Sequence, residues 1–240
     1  MIRVAIIGVC GRMGSALAEL ILKETDLTVV GGVEAIGHPS VGTPIGNGFI
    51  TTDLNSIISH CDVAIEFAIP EVTIDNARIC ARAKKPFITG TTGHKNLDEI
   101  KIYSKDIPIL IAPNFSLGVN LLYKLVSDAT KHLIDFDINI VEVHHKLKRD
   151  KPSGTAKRLS AIIKEVSGRE VPIDSIRAGD IVGEHFVIFS GPGERLELIH
   201  RAASRYAFAY GAIKAIRFIV NQEPGLYQMT DVLKYYISGV

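Results

Sequence analysis

The sequence is poor in residue types that mark particular protein classes. Its 240 residues contain no tryptophan and only 7% aromatic residues, which argues against a stacking surface for carbohydrate or single-stranded nucleic acid. The three cysteines are Cys10, Cys61 and Cys80. Because their number is odd and their spacing is unlike that of metal ligands, they argue against a disulfide framework and favour a reducing compartment, the cytoplasm.

An excess of charge and a long hydrophobic run are also lacking. Lys and Arg number 27 against 26 Asp and Glu, a formal net charge of +1, so no protein-wide basic surface for nucleic acid is predicted. The apolar opening segment, residues 1–11, is shorter than the ~20 residues that span a membrane and lacks the features of a signal peptide. No membrane segment is therefore predicted. The mean hydropathy of +0.22 is high for a soluble chain and favours an oligomer.

Short apolar runs alternate with helix-length amphipathic segments through the first half of the chain. The predicted strands are 2–8, 27–33, 62–67, 86–89 and 108–113, and the predicted helices are 14–24, 71–84 and 97–105. This alternation predicts an α/β fold with a Rossmann-like parallel sheet covered by helices. Gly and Pro are dense over 36–50, which predicts a surface loop without regular structure.

The pattern changes from about Ser116. Helices are predicted over 117–133, 152–166 and 204–222, a half-exposed strand over 136–145, and a hairpin from 185–191 and 194–202 around Gly191-Pro192-Gly193. Strands with one exposed face are typical of mixed or antiparallel sheets. We therefore predict a second, C-terminal α+β domain, with 225–233 closing the chain.

A glycine loop follows the first predicted strand. Gly8, Gly11 and Gly14 lie between this strand and a helix, where bare backbone and a helix N-terminus suit the pyrophosphate of a dinucleotide. Glu34 follows Gly14 by 34 − 14 = 20 residues, the position of the acid that binds the adenosine ribose. The alternative is a simple tight turn followed by a solvated strand end.

The residues after Glu34 bear on the choice of cofactor. Ala35, Ile36 and Gly37 carry no cation that would pair with the 2′-phosphate of NADP. We predict NADH as the preferred cofactor, with NADPH possible because Arg12 in the loop could reach a 2′-phosphate. Two further turns, 90–93 and 112–115, follow predicted parallel strands and are expected at the same sheet edge.

A basic segment, residues 142–156, is the most distinctive part of the sequence. His144 and Lys148 could transfer a proton, and the N–H groups of Gly154 and Thr155 at a helix start could hold a carboxylate. The alternatives are a solvated basic loop, a nucleic-acid patch or a helix cap. No metal site is predicted, because the adjacent His144 and His145 point to opposite faces of a strand.

These motifs together resemble one family. GVCGRMG, GTTG, APNFSLGVN, VEVHHKLKRDKPSGTA, GERLELIHRAASR and GLYQMTDVL are similar to segments of the bacterial dihydrodipicolinate reductases, which are also called 4-hydroxy-tetrahydrodipicolinate reductases. The resemblance runs from Ile2 to Leu233. It implies NAD(P)H-dependent reduction of a cyclic dicarboxylate in diaminopimelate and lysine biosynthesis.

The resemblance also implies residue roles. His144 and Lys148 correspond to the proton donors, and the substrate dicarboxylate is assigned to His145, Gly154, Thr155 and Thr92. The cofactor is assigned to Gly8, Val9, Cys10, Gly11, Arg12, Met13, Glu34, Gly90, Thr91, Thr92, Ala112, Pro113, Asn114 and Phe115.

The family architecture implies a dinucleotide-binding domain of residues 1–115 with 213–240, and a substrate-binding and oligomerisation domain of residues 116–212 that forms a homotetramer.

Two rival functions stay open at this point. One is another two-domain dehydrogenase that acts on an amino or hydroxy acid, and the other is a redox-sensing nucleotide-binding protein without catalysis.

Overall fold

The computed structural model describes residues 1–94 and 97–238. The chain divides into two compact units: Met1–Phe115 together with Phe208–Val240, and Ser116–Ala207. The chain passes from the second unit back to the first between Ala207 and Phe208. This point and the predicted boundary at 213 both lie within one helix, Tyr206–Ile219. Residues 239 and 240 of the predicted first domain lie outside the described residues.

The first unit is built from alternating strands and helices. In chain order they are β1 (Ile2–Ile7), α1 (Arg12–Ile21), β2 (Leu27–Val33), β3 (Pro44–Ile45), β4 (Gly48–Thr51), β5 (Val63–Glu66), α2 (Pro70–Arg82), β6 (Phe87–Thr89), α3 (Asp98–Lys101) and β7 (Pro108–Ile111). Short 3-10 helices span Leu54–Ser56, Ile58–His60 and Ile102–Lys105.

The second unit follows with α4 (Leu117–His132), β8 (Asp137–His144), α5 (Gly154–Ser167), β9 (Ile173–Arg177), β10 (Gly183–Gly191) and β11 (Glu194–Ala202). The chain returns to the first unit through α6 (Tyr206–Ile219) and ends in β12 (Gly225–Tyr227) and α7 (Met229–Ser238). No helix among the described residues is both long enough and apolar enough to cross a membrane.

The first unit's sheet has the strand order β12-β7-β6-β5-β1-β2-β4-β3. Every pairing is parallel except that of β3 with β4. A parallel sheet buried on both faces explains the near-continuous apolar runs of β1 and β5. The prediction of a Rossmann-like α/β unit is confirmed.

The prediction of a structureless loop over 36–50 is wrong in its second half. β3 and β4 form a short hairpin there, and β4 extends the sheet by pairing with β2. Glycine is required where the chains approach, because a Cβ at Gly48 would lie 2.0 Å from the carbonyl oxygen of Val30. Glycine density therefore marked close strand packing here rather than the lack of a strand.

The second unit's sheet has the order β11-β10-β8-β9. β10 is antiparallel to β8 and β11, whereas β9 is parallel to β8, so the predicted mixed sheet is confirmed. The core forms where α4 and α5 cover one face, and includes Val126, Leu159, Ile140 and Phe189. Strand β9 was not predicted.

Candidate active site

The glycine loop of the first unit keeps bare backbone where a phosphate must approach. Gly8 has a φ of +76°, and a Cβ there would lie 2.4 Å from the carbonyl oxygen of Phe67. A Cβ at Gly14 would lie 2.2 Å from the carbonyl oxygen of Gly8. Helix α1 starts at Arg12 behind Gly11, which has no side chain to cap it. The loop and the positive end of α1 therefore fit the pyrophosphate of a dinucleotide.

The structure brings the predicted ribose-binding acid to this loop. Glu34 follows β2 directly, and its Oε2 accepts a hydrogen bond from the backbone N–H of Cys10 at 3.0 Å. Its Oε1 accepts from the N–H of Ala35 at 3.1 Å. Val9 is buried, Cys10 and Met13 are half-buried, and Arg12 is exposed.

The two other predicted turns lie at the carboxyl ends of β6 and β7. Gly90 packs against two aromatic rings, since a Cβ there would lie 2.5 Å from a ring atom of Phe67 and 2.7 Å from one of Phe115. These two rings meet edge to face with centroids 5.4 Å apart. Thr92 is exposed, and Thr91 is buried.

The remaining residues of the turn after β7 differ in exposure: Ala112 is buried, Pro113 exposed and Asn114 half-buried. The amide of Ala112 donates to the carbonyl of Thr89 at 3.0 Å. The predicted cofactor residues thus follow β1, β2, β6 and β7, at the sheet edge where parallel α/β folds bind ligands.

Strand β8 positions the histidines of the second unit. Its burial alternates, so that Glu142 and His144 are buried on one face while His145, just beyond the strand, is half-buried. The Nδ1 atom of His144 is hydrogen-bonded to Oε2 of Glu142. The sequence reasoning missed Glu142, although residues two apart on a strand share a face.

Arg177 is a second residue that the sequence reasoning missed. Its Nη2 donates to Oε1 of Glu142 at 2.7 Å and its Nη1 to Oε2 at 2.9 Å. Burial by itself would raise the pKa of Glu142, but hydrogen bonds from Arg177, Ser175 and His144 outweigh it and lower the pKa to about 2. Glu142 is therefore ionised at neutral pH.

Burial favours the neutral form of His144. Burial lowers the pKa of His144, and this effect outweighs the opposing attraction of Glu142. Because Glu142 is ionised, it can only accept a hydrogen bond, which assigns the single imidazole proton to Nδ1 and leaves a lone pair on Nε2. Nε2 faces Gly183, where a Cβ would lie 2.9 Å away.

The basic segment folds back so that its two ends meet. Oε1 of Glu142 accepts from the backbone N–H of Ser153 at 3.3 Å, and Ser153 caps α5 by accepting from the N–H of Ala156 at 3.2 Å. Gly154 and Thr155 therefore supply the first N–H groups of α5 close to the carboxylate that holds His144. Between these ends, Lys148 Nζ lies 2.9 Å from Oδ1 of Asp150.

The imidazole of His185 lies beside that of His144, and the imidazole of His200 lies beside that of His185, with centroids 6.4 Å apart. The buried His185 has its ring centroid 5.3 Å from that of His144 and its Nε2 3.3 Å from Oγ of Ser153. The pKa of His185 is lowered to about 3, mainly by burial and to a lesser extent by the charges of the neighbouring His144 and His200. Within residues 1–94 and 97–238, no group of His, Cys, Asp and Glu side chains could hold a metal ion.

Comparison with known proteins decides the family. The family model for the N-terminal part of dihydrodipicolinate reductase matches residues 2–115, and the one for the C-terminal part matches residues 118–233. The chain belongs to the dihydrodipicolinate reductase family. The resemblance inferred from the motifs is thereby confirmed.

Several relatives match over nearly the whole chain. The 4-hydroxy-tetrahydrodipicolinate reductase of Geotalea uraniireducens is 39% identical, over 97% of this chain and 99% of its own. That of Aquifex aeolicus is 42% identical, over 97% and 98%. Dipicolinate-bound dihydrodipicolinate reductase from Paenisporosarcina sp. TG-14 has the same fold, with a TM-score of 0.85, 24% identity, and coverage of 95% and 97%.

Membership of the dihydrodipicolinate reductase family carries an enzyme class. The family consists of NAD(P)H-dependent oxidoreductases of diaminopimelate and lysine biosynthesis. The prediction of an oxidoreductase with a nicotinamide cofactor and a small-molecule substrate is confirmed at this level, and the two rival functions are set aside.

Proposed function

We propose that this chain reduces 4-hydroxy-tetrahydrodipicolinate to tetrahydrodipicolinate, a reaction in which the substrate loses its hydroxyl group as water and gains a hydride and a proton. The observation that carries the proposal is the meeting of both ends of the basic segment at Glu142, which is hydrogen-bonded to His144 and to the N–H of Ser153. A proton-transfer group and a helix N-terminus that suits a carboxylate are thereby held together. A protein that only binds a nucleotide would leave this arrangement unexplained.

The substrate dicarboxylate is assigned to the start of α5 and its surroundings. Gly154 and Thr155 lie at the positive end of a 14-residue helix, where N–H groups bind anions. His145, Lys148 and Thr92 are the further predicted contacts. The two carboxylates of the substrate stay unchanged in the reaction. The groups that contact them therefore serve to bind and orient the substrate ring.

We assign to Lys148 the donation of the proton that the substrate gains together with the hydride. His144 holds its single proton on Nδ1 towards Glu142, so its Nε2 is an acceptor rather than a donor. Lys148 carries three N–H donors and is held by Asp150, while its backbone carbonyl accepts from Nε of Arg177 at 3.2 Å. We assign to His144 the role of a neutral acceptor that orients the donor or substrate.

The cofactor is assigned to the glycine loop and the sheet edge of the first unit. When bound, a reduced nicotinamide supplies the hydride. Gly8 and Gly14 leave the loop without the Cβ atoms that would obstruct a pyrophosphate, and Glu34 is placed to accept from ribose hydroxyls. NADH is proposed as the preferred cofactor, because Glu34 repels a 2′-phosphate and no cation follows it in Ala35-Ile36-Gly37.

A homotetramer is proposed to form through the second sheet. On the face opposite the α4 and α5 core, Val141, Phe186 and Ile199 stand side by side on three strands, and Ile199 is 41% exposed. In a tetramer, the same sheets of neighbouring copies would cover this apolar strip. We also retain the cytoplasm as the proposed location, supported by the free thiols of Cys10, Cys61 and Cys80.

A coupled assay tests the proposed reaction. Because the substrate is unstable, it is generated in place by an enzyme that condenses pyruvate with aspartate semialdehyde, and the loss of NADH absorbance is followed. We expect oxidation that depends on both precursors and on this chain. If NADH binds but no precursor-dependent oxidation occurs with NADH or NADPH, the proposed function is wrong.

A further inference from the structure

A buried carboxylate in the first unit has no part in the functions assigned above. Glu66 is the last residue of β5, and its side chain is fully buried. It accepts four hydrogen bonds, all from neutral groups: three threonine hydroxyls and the amide of Asn76. An ionisable group in such surroundings loses much of its hydration, so the carboxylate requires a full set of donors.

The carboxylate determines the direction of each hydroxyl. Oε1 accepts from Oγ1 of Thr73 at 2.6 Å, of Thr91 at 2.8 Å and of Thr89 at 3.1 Å, while Oε2 accepts from Nδ2 of Asn76 at 2.7 Å. A hydroxyl has a single proton. Because the hydroxyls of Thr89 and Thr91 give this proton to Glu66, their oxygens can only accept from other groups.

Two backbone amides complete the network. Oγ1 of Thr91 accepts from the N–H of Ala68 at 3.1 Å, and Oγ1 of Thr89 accepts from the N–H of Thr91 at 3.2 Å. Thr91 therefore joins the turn after β6 to the turn after β5. Glu66, at the end of β5, holds this junction by accepting hydrogen bonds from Thr89 and Thr91.

These turns adjoin the residues assigned to the cofactor. Phe67, directly after Glu66, has its carbonyl against Gly8 of the glycine loop and its ring against Gly90. Thr73 and Asn76, by contrast, lie on α2 and take no part in the turns. The network thus has one arm that reaches the sheet edge, through the hydroxyl of Thr91 and through Thr89, which accepts from the N–H of Thr91. The other arm anchors Glu66 to a helix.

We propose that Glu66 is a positioning residue for the nicotinamide dinucleotide, acting through Thr91 to hold the turn of residues 90–92 against the turn of residues 67 and 68. The inference rests on the proposed function only in taking residues 90–92 as cofactor contacts. It predicts that loss of the Thr91 arm weakens cofactor binding, whereas loss of the helix arm does not.

Equilibrium binding of NADH to the full-length chain, followed by the fluorescence of the reduced nicotinamide, tests this. Thr91→Val should raise the Kd roughly tenfold, since the hydrogen bonds of the Thr91 hydroxyl to Glu66 and from the N–H of Ala68 are both lost, and Thr91→Ser should restore it. Thr73→Val is the matched control: it removes a hydroxyl from the same oxygen of Glu66 but should leave the Kd within twofold of wild type.

A double-mutant cycle tests whether Thr91 acts through Glu66. In a Glu66→Met background, which removes the acceptor, Thr91→Val should change the Kd less than twofold. The KM for NADH should rise in Thr91→Val in parallel with the Kd. If the Glu66→Met chain does not fold, the comparison of Thr91→Val with Thr73→Val still decides.

The outcomes separate this inference from the proposed function. Equal Kd values for wild type and Thr91→Val, or equal weakening by Thr73→Val and Thr91→Val, would overturn the positioning role. The same holds if Thr91→Val keeps its full effect in the Glu66→Met chain. If the wild-type chain binds neither NADH nor NADPH, the proposed function itself fails.

Discussion

Arg177 and Glu142 form a two-point ion pair between neighbouring parallel strands, with N–O distances of 2.7 and 2.9 Å. Their side chains are only 7% and 0% exposed. Paired in this way, the guanidinium both neutralises and orients a carboxylate that in turn holds His144. The pair is therefore a structural requirement as well as part of the site.

Removing one partner of the Arg177–Glu142 ion pair should lower the free energy of unfolding. Arg177→Met leaves Glu142 buried without its cation, so we expect the free energy of unfolding to fall by about 3 kcal/mol or more, measured by urea denaturation. The double variant Arg177→Met/Glu142→Gln should recover part of this loss. Arg158→Met, which breaks an exposed ion pair with Glu165, should cost less than about 1 kcal/mol. Similar losses for the two arginines would contradict the argument.

Lys148→Ala should separate cofactor binding from proton transfer. Loss of a general acid reduces turnover by about 10²–10⁴-fold, while the Kd for NADH should remain unchanged because the glycine loop is intact. Steady-state kinetics and NADH titration measure the two quantities. Lys157→Ala removes an exposed lysine from α5 and serves as the charge control. A folded Lys148→Ala enzyme with turnover within a few-fold of wild type would refute the role.

The depressed pKa of His185 makes stability sensitive to mild acid. Its pKa is lowered from 6.5 to about 3, mainly by burial, so the unfolded chain takes up a proton below pH 6.5 that the folded chain does not. Stability should therefore decrease as the pH falls from 6.5 to 5, with a contribution that approaches about 1.4 kcal/mol per pH unit.

Variants isolate this contribution. His185→Gln should show a shallower decrease of unfolding free energy over the same pH range, measured by denaturant titration at each pH. His132→Gln removes an exposed imidazole at the end of α4 and should follow the wild-type curve. An unaltered pH slope in His185→Gln would show that the imidazole is not neutral in the folded chain.

Gly14→Ala should disturb the glycine loop. The new Cβ would lie 2.2 Å from the carbonyl oxygen of Gly8, so the loop must shift, at a cost of about 1–3 kcal/mol. We expect NADH binding to weaken at least roughly tenfold. Gly42→Ala, where a Cβ meets no atom within 4 Å, costs only the strain of its positive φ, about 1 kcal/mol, and should bind NADH normally.

Cofactor preference is testable at the residue after Glu34. The wild-type chain should show a higher kcat/KM with NADH than with NADPH. Ala35→Arg places a cation where a 2′-phosphate would lie and should raise the NADPH to NADH ratio of kcat/KM about tenfold, which is about 1.4 kcal/mol of altered discrimination. Ala35→Gln is the uncharged control. A wild-type preference for NADPH would refute the proposal.

The first sheet was predictable because its information is local. β1, β6 and β7 are apolar runs that end at turns, and Gly8, Gly90 and Ala112 follow them directly. Strand β4 was missed because Gly46 and Gly48, which allow close approach to β2, are of the residue type that normally signals a loop. Local composition cannot separate these two uses of glycine.

The site in the second unit was only partly predictable, because its supporting contacts span long stretches of chain. Glu142 could have been found by extending the two-residue period of β8 from His144. Arg177 could not, because its place opposite His144 follows from the parallel pairing of β8 with β9. Glu66 was hidden for a similar reason, since the three threonines that mark its environment come from α2, β6 and a turn.

The mixed sheet limits how the proton-transfer group can be carried into another protein. Arg177 comes from a parallel neighbour of β8, whereas Gly183 and His185 come from the antiparallel neighbour on the other side. Grafting only His144 and Lys148 onto a new scaffold would omit the three residues that support them. These are Arg177, which supplies the positive charge; Gly183, which leaves space beside Nε2 of His144; and Glu142, which fixes the imidazole tautomer. A host would need a central strand flanked by one strand of each direction, which purely parallel and purely antiparallel sheets do not offer.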